Sequence, residues 1–223
     1  MECVRQCLYT LRRLLAPHYA VTPVTGDMIL KEPWTSTCAL LVIPGGADLE
    51  YCRILNGAGN RTIEQFVRRG GAYLGFCAGG YYGSKRCEFE VGNKTLQVIG
   101  DRELSFFPGT CRGCAFPGFV YHSDAGARAT ELNVSKEALS VGAVPDVFKS
   151  YYNGGGVFVD APLYADKGVE VLASYTEKVH VDSGRGTAAV VYCKVGDGSV
   201  ILTGTHPEFV HVAKKELMEN RRR

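Results

Sequence analysis

Long apolar runs are missing from this 223-residue chain. No stretch approaches the ~20 apolar residues that a membrane-crossing helix needs, and the opening segment MECVRQCLYTLRRLL carries arginines where a secretory signal carries its apolar core. An excess of one charge is missing too: 25 Lys and Arg face 23 Asp and Glu, and only Arg221, Arg222 and Arg223 cluster. Without a basic stripe a nucleic-acid backbone has no electrostatic footprint to bind, so no nucleic-acid partner is expected. Internal repeats, linkers and low-complexity tracts are absent, which leaves a single domain over residues 1–223. With 46% hydrophobic residues the chain can bury a real core and is not disordered. The expectation is a cytoplasmic protein with no membrane contact.

Cysteine, by contrast, is plentiful: Cys3, Cys7, Cys38, Cys52, Cys77, Cys87, Cys111, Cys114 and Cys193. The odd count and the apolar settings of several, as in CALLVI and VVYCKV, favour free thiols in a reducing compartment over a disulfide framework. Cys111 and Cys114 form one C-x-x-C in GTCRGCAFPG, with His122 nearby, but no second pair completes a metal site, so neither metal nor cofactor is expected.

Along the chain, strand and helix patterns take turns. Val4, Leu8, Leu11 and Leu15 recur at helical spacing over 2–16, and Asn60 is a candidate cap for a helix running to Arg69 with Ile63, Phe66 and Val67 inward. Apolar or alternating runs predict strands at 19–24, 38–43 and 72–77, then at 169–175, 187–195 and 199–205, with a Gly-Asp-Gly hairpin joining the last two. Between 84 and 165 the pattern is irregular, rich in Gly, Pro and aromatics, with short strand candidates at 96–100, 119–122 and 156–159. A last helix is expected over 208–220. This alternation predicts an α/β fold, a three-layer sandwich on a mostly parallel central sheet, which holds its site at the carboxyl ends of the strands.

Three unusual segments fall at such ends: PGGADL, CAGG and THPE. Gly75-Phe76-Cys77-Ala78-Gly79 is G-x-C-x-G, the thiol form of a nucleophile elbow, at a helix start that favours a thiolate. The plain alternative is a tight turn around an inert cysteine. Gly204-Thr205-His206-Pro207-Glu208 places an imidazole and a carboxylate two residues apart, which with Cys77 makes a Cys-His-Glu triad. Here the plain alternative is a helix start capped by Thr205 with Glu208 in a capping box. The N–H of Ala78, with Gly45-Gly46, supplies donors for an oxyanion.

These segments, in this order, resemble the class I glutamine amidotransferase-like superfamily, a flavodoxin-like arrangement. The longer strings IPGGADLEYCRILNGAGNRTIEQFVRRGGAYLGFCAGGYYGSKRCEFEVG, GDRELSFFPGTCRGCAFPG and SYYNGGGVFVDA are similar to the N-terminal domain of eukaryotic biotin-protein ligases and its stand-alone relatives. The resemblance implies Cys77, His206 and Glu208 as the triad, with Gly46 and Ala78 at the oxyanion hole. It also implies two departures. Glutamine-hydrolysing members carry Gln four residues after the nucleophile, where this chain has Tyr81; and the fold usually opens on a strand, where this chain opens on a helix, so the expectation is a truncated N-terminus or a mispredicted start. The glycine- and arginine-rich loop of a ligase domain is absent, so the chain is not expected to transfer biotin alone.

The substrate pocket is expected to gather Gly45, Gly79, Tyr81, Gly154 and Gly155, with the last two in an NGGG run that either admits a ligand or makes a turn. Two functional readings stand. One is a cysteine-dependent hydrolase or acyl transferase acting on an amide. The other is a non-catalytic regulatory or interaction module beside a biotin ligase or a biotinylated protein.

Overall fold

In the computed structural model, residues 2–136 and 144–209 are described. The chain opens on α1 (Glu2–Leu15), followed by the short α2 (Gly26–Lys31) and then β1 (Leu40–Ile43). Helices α3 (Asp48–Leu55) and α4 (Ala58–Arg68) make the crossover to β2 (Ala72–Phe76), which parallel pairing requires. A six-residue helix, α5 (Ala78–Gly83), leaves β2 at once. Then come β3 (Ser84–Phe89), β4 (Val98–Asp101), β5 (Phe107–Gly113), β6 (Arg128–Val134), β7 (Val147–Tyr152) and β8 (Val157–Phe158). The chain closes on β9 (Val169–Tyr175), β10 (Ala188–Val195) and β11 (Gly198–Thr203).

These strands form a seven-stranded sheet in the order β1-β2-β11-β10-β9-β6-β7 and a four-stranded sheet in the order β4-β3-β5-β8. The expected mostly parallel sheet is met only in part. Only β1/β2, β2/β11 and β3/β5 run parallel; β11/β10, β10/β9, β9/β6 and β6/β7 are antiparallel. The cause is connection length: two residues between β10 and β11 can only reverse the chain, whereas the two helices between β1 and β2 carry it back over. The parallel register aligns the three functional strand ends. Ile43 and Leu202 both lie opposite Gly75, and Thr203 lies opposite Phe76.

Helix α4 is held by the stripe its sequence spacing predicts. Ile63 and Val67 are fully buried with Phe66 in the main core, and each such apolar side chain contributes ~1.5–3 kcal/mol. Its start differs from the expected one. Gly57 is the residue before the helix, and Asn60 lies inside it, buried, donating to Asn56 Oδ1 at 3.1 Å and Glu103 Oε2 at 2.8 Å while accepting from the Tyr82 hydroxyl. In α1 the packed face is rotated from the predicted Val4-Leu8-Leu11-Leu15 stripe. Cys7 and Thr10 are its buried residues, and Thr10 Oγ1 donates to the Glu208 carbonyl at 2.7 Å. Residues 19–24 and 119–122 form no strand, while β3, β5, β6 and β7 arise where no strand was expected. Most of the helix expected over 208–220 lies outside the described residues. No helix among those described is long and apolar enough to cross a membrane.

Candidate active site

Cys77 leaves β2 with φ +47°, a backbone region that side chains rarely adopt, and starts α5. Its glycine neighbours make that turn possible by close approach. A Cβ on Gly75 would lie 2.4 Å from the Gly79 carbonyl oxygen, and one on Gly79 would lie 2.1 Å from the Ile43 oxygen, so α5 sits directly on the backbones of β2 and β1. The Cys77 N–H is anchored to Thr203 O at 2.8 Å, and its sulfur lies 3.6 Å from Asn153 O. The N–H of Ala78, first in α5, has no carbonyl one turn back to bond.

The neighbouring strand end supplies the imidazole. His206 donates its backbone N–H to Tyr151 O at 2.7 Å, and its ring Nδ1 meets Glu208 Oε1 at 2.8 Å. Both side chains are shut from solvent, at 5% and 1% exposure, and a charge-assisted bond of this kind contributes ~1.5–3 kcal/mol. Burial alone disfavours the charged ring. The charge and hydrogen bonding of Cys77 and Glu208 outweigh it and hold the His206 pKa well above its ordinary 6.5. Thr205 does not act as a helix cap; its hydroxyl bonds those of Ser150 and Thr203, each at 3.0 Å, and so fixes the strand end.

The third segment closes over the ring. Tyr51 OH donates to Pro44 O at 2.9 Å and holds the Pro44-Gly45-Gly46 turn, in which Gly46 takes φ +154°. Gly45 carries no side chain because His206 occupies that space: a Cβ there would lie 2.4 Å from His206 Cε1. Cys3 of α1 reaches the same point, 3.2 Å from that Cβ position. Burial pushes the Cys3 thiol up; the His206 charge opposes this by less, and the Cys77 charge adds to it.

Cys77, Ala78, His206, Gly45, Gly46, Tyr81 and Gly154 line one cavity of about 940 Å³. Glu208 stands behind His206, and Gly79 and Gly155 lie outside the wall. Gly155 permits a close backbone approach, since its Cβ would lie 1.5 Å from Gly204 O. Tyr81 is buried and donates to Gly154 O at 3.2 Å; desolvation keeps its phenol protonated. Cys111 lies within β5 and Cys114 just beyond it, both buried, and desolvation pushes both thiols up, so they behave as small apolar groups. Among the described residues no group of three or more His, Cys, Asp or Glu is placed to hold a metal ion.

Sequence reasoning missed Cys3, Tyr51, Asp124 and Phe209, and held Asn153 only as part of the NGGG run; all five line the cavity. For Cys3 a signal existed: Cys3 and Cys7 stand four apart, with Thr10 three further on, and so share a helix face. The loop residues carried none.

Comparisons with known proteins bear on the family and the fold. A family model described as "Biotin-protein ligase, N terminal" matches residues 1–223. A biotin-protein ligase of Schizosaccharomyces pombe is 44% identical over 207 residues, covering 93% of this chain but 31% of the yeast protein, so the chain spans about a third of that relative. An uncharacterized protein of Chlamydia muridarum is 35% identical over 207 residues, covering 90% of this chain and 74% of its own length. Among solved structures, a glutamine amidotransferase superposes with a TM-score of 0.60 at 18% identity, covering 96% of this chain and 90% of that one. A likeness at that identity speaks to the fold alone, which is α/β and class I glutamine amidotransferase-like.

Proposed function

The chain belongs to the biotin-protein ligase N-terminal family, and from that premise we propose that it is a cysteine-dependent acyl-transfer domain in which Cys77, His206 and Glu208 act together. The observation that carries this reading is the His206 imidazole, bonded to buried Glu208 at 2.8 Å, on the wall of the same cavity that Cys77 lines.

In the proposed reaction the Cys77 sulfur attacks an amide or ester carbonyl carbon, forming the C–S bond. The oxygen takes up the electron pair and is met by the N–H groups of Ala78 and Gly46, each such donor being typically worth ~2.7–4 kcal/mol. His206 gives its proton to the leaving nitrogen or oxygen as that bond breaks, and Glu208 holds the ring in the orientation this requires. A water or an acceptor amine, deprotonated by His206, then bonds to the thioester carbon; the C–S bond breaks, the acyl group leaves as acid or amide, and the proton held on His206 restores the starting thiol–imidazole pair. A biotin-ligase context belongs to the proposal through family membership, and a reducing, cytoplasmic setting through the nine free thiols.

A second reading is an interaction module associated with protein biotinylation, without turnover. Tyr81 favours it: its phenol bonds Gly154 O at the cavity wall, at the position where glutamine-hydrolysing members carry an amide side chain. Incubation with a p-nitrophenyl acyl ester separates the two. The proposal predicts an acyl adduct that forms on Cys77 ahead of the other thiols and is lost in His206→Ala. Acylation of Cys77 no faster than that of N-acetylcysteine would favour the non-catalytic module.

A further inference from the structure

Resting on the acyl-transfer reading of Cys77, we infer that the cavity selects a substrate with an apolar body and a cationic, hydrogen-bond-donating end, such as an alkylammonium, and disfavours one ending in a carboxylate. Apart from the His206 imidazole, the charged side chains of the wall are carboxylates. Glu2, Asp48, Glu50 and Asp124 line the cavity, and none of its described lining residues is a lysine or arginine. Three of these carboxylates are matched elsewhere: Glu2 by Arg5, Asp48 by Arg102 and Glu50 by Arg53. Asp124 is not matched by any cation among the described residues; it accepts a bond from the Tyr151 hydroxyl at 3.4 Å. Burial, and next the Asp124 charge, push that phenol up to about 12, so it stays a donor.

Asn153 adds an independent sign of the same ligand chemistry. Its Nδ2 donates to Ser123 O at 3.2 Å, tying it to the Asp124 loop, and its backbone carbonyl lies 3.6 Å from the Cys77 sulfur. Its Oδ1 is shut from solvent and accepts no hydrogen bond among the described residues, an arrangement that costs stability unless a donor arrives. Among the described residues Asn153 Oδ1 thus lacks a donor and Asp124 lacks a cation, and an ammonium supplies both a charge and several N–H groups. Aromatic rings line the same space. Tyr151 stacks on Phe209 at 4.8 Å and Phe119 meets Tyr121 edge-on at 4.9 Å, and ring faces attract cations. Leu41, Ile43 and Ile54 provide the apolar surface for the body of such a molecule.

The test uses three chloroacetamides on pentyl arms ending in an ammonium, a methyl or a carboxylate, at low salt and about pH 8, where an ordinary imidazole is neutral. Alkylation of Cys77 is followed by mass spectrometry of its peptide, and each rate is divided by that of N-acetylcysteine. The ammonium probe is expected to react about tenfold or more faster than the carboxylate probe. That ratio should collapse to within about threefold in Asp124→Asn. A wild-type ratio near one, a reversed ratio, or one undiminished in Asp124→Asn overturns the inference. The methyl probe with His206→Ala reports separately on the chemistry: an unchanged rate there overturns the acyl-transfer reading, while the charge ranking stands or falls on its own ratio.

Discussion

Replacing Gly45 by alanine displaces His206 without altering any ionisable group. The new Cβ would lie 2.4 Å from His206 Cε1 and 3.2 Å from Cys3 Sγ. Carbon atoms rest ~3.5–4.0 Å apart, so the ring or the turn must move by about 1 Å. Neither moves freely. The ring is held by Glu208 at 2.8 Å and the backbone by Tyr151 O at 2.7 Å, while the turn is held by Tyr51 at 2.9 Å. Overpacking of this kind costs ~1–3 kcal/mol, which in a chain of this size lowers Tm by roughly 2–12 °C. A misplacement of about 1 Å in a reacting group can cost about 100-fold. Gly45→Ala should therefore keep a folded protein and lose most of the His206-dependent excess in the Cys77-specific alkylation rate, which is at least about tenfold, measured alongside thermal unfolding on the same sample. A variant with unchanged Tm and an unchanged Cys77 rate would refute the claim that the Pro44-Gly45-Gly46 turn positions the imidazole.

Other perturbations read other parts of the structure. Asp48→Asn leaves the Arg102 guanidinium, 4% exposed and bonded to Asp48 at 2.8 Å, as a buried charge without its partner; a loss of about 3–5 kcal/mol should appear in urea unfolding. His206 has a folded pKa raised above 6.5, so its contribution to stability is fully present below that value and is lost as pH rises through the folded pKa. The stability advantage of wild type over His206→Gln should thus be larger at about pH 6 than at about pH 9 in chemical denaturation, and an advantage that grows with pH would contradict the sign of the shift. With Tyr81 fixed to Gly154 O, glutamine should release ammonia more slowly than ~1 per second, as read by a coupled ammonia assay.

The parts of the fold legible in sequence were those whose own pattern decided their structure. β1, β2 and β9 to β11 are dense in β-branched or aromatic residues with clear breakers, and they formed where expected. β5, FPGTCRG, carries Pro and Gly and is a strand only because β3 and β8 pair with it on either side. β6, RATELNV, is polar enough to read as a loop, and it is held between β7 and β9. The run at 119–122 failed in the opposite sense: Phe119 and Tyr121 pack on Phe89 beside the cavity instead of pairing in a sheet. At the site, PGG, Cys77 and THPE could be read because parallel register brings strand ends together. Asp124 and Asn153 could not, since their meeting depends on a loop and on the path of β7.

The most direct test of the account is the rate at which iodoacetamide alkylates Cys77 relative to N-acetylcysteine at neutral pH, in wild type and in His206→Ala, followed by peptide mass spectrometry. If the imidazole bonded to Glu208 activates the thiol, wild-type Cys77 reacts at least about tenfold faster than the free thiol, and His206→Ala abolishes that excess while the protein remains folded. Equal rates in the two proteins, with His206→Ala folded, would contradict the proposal that Cys77 and His206 form a working nucleophile and acid-base pair.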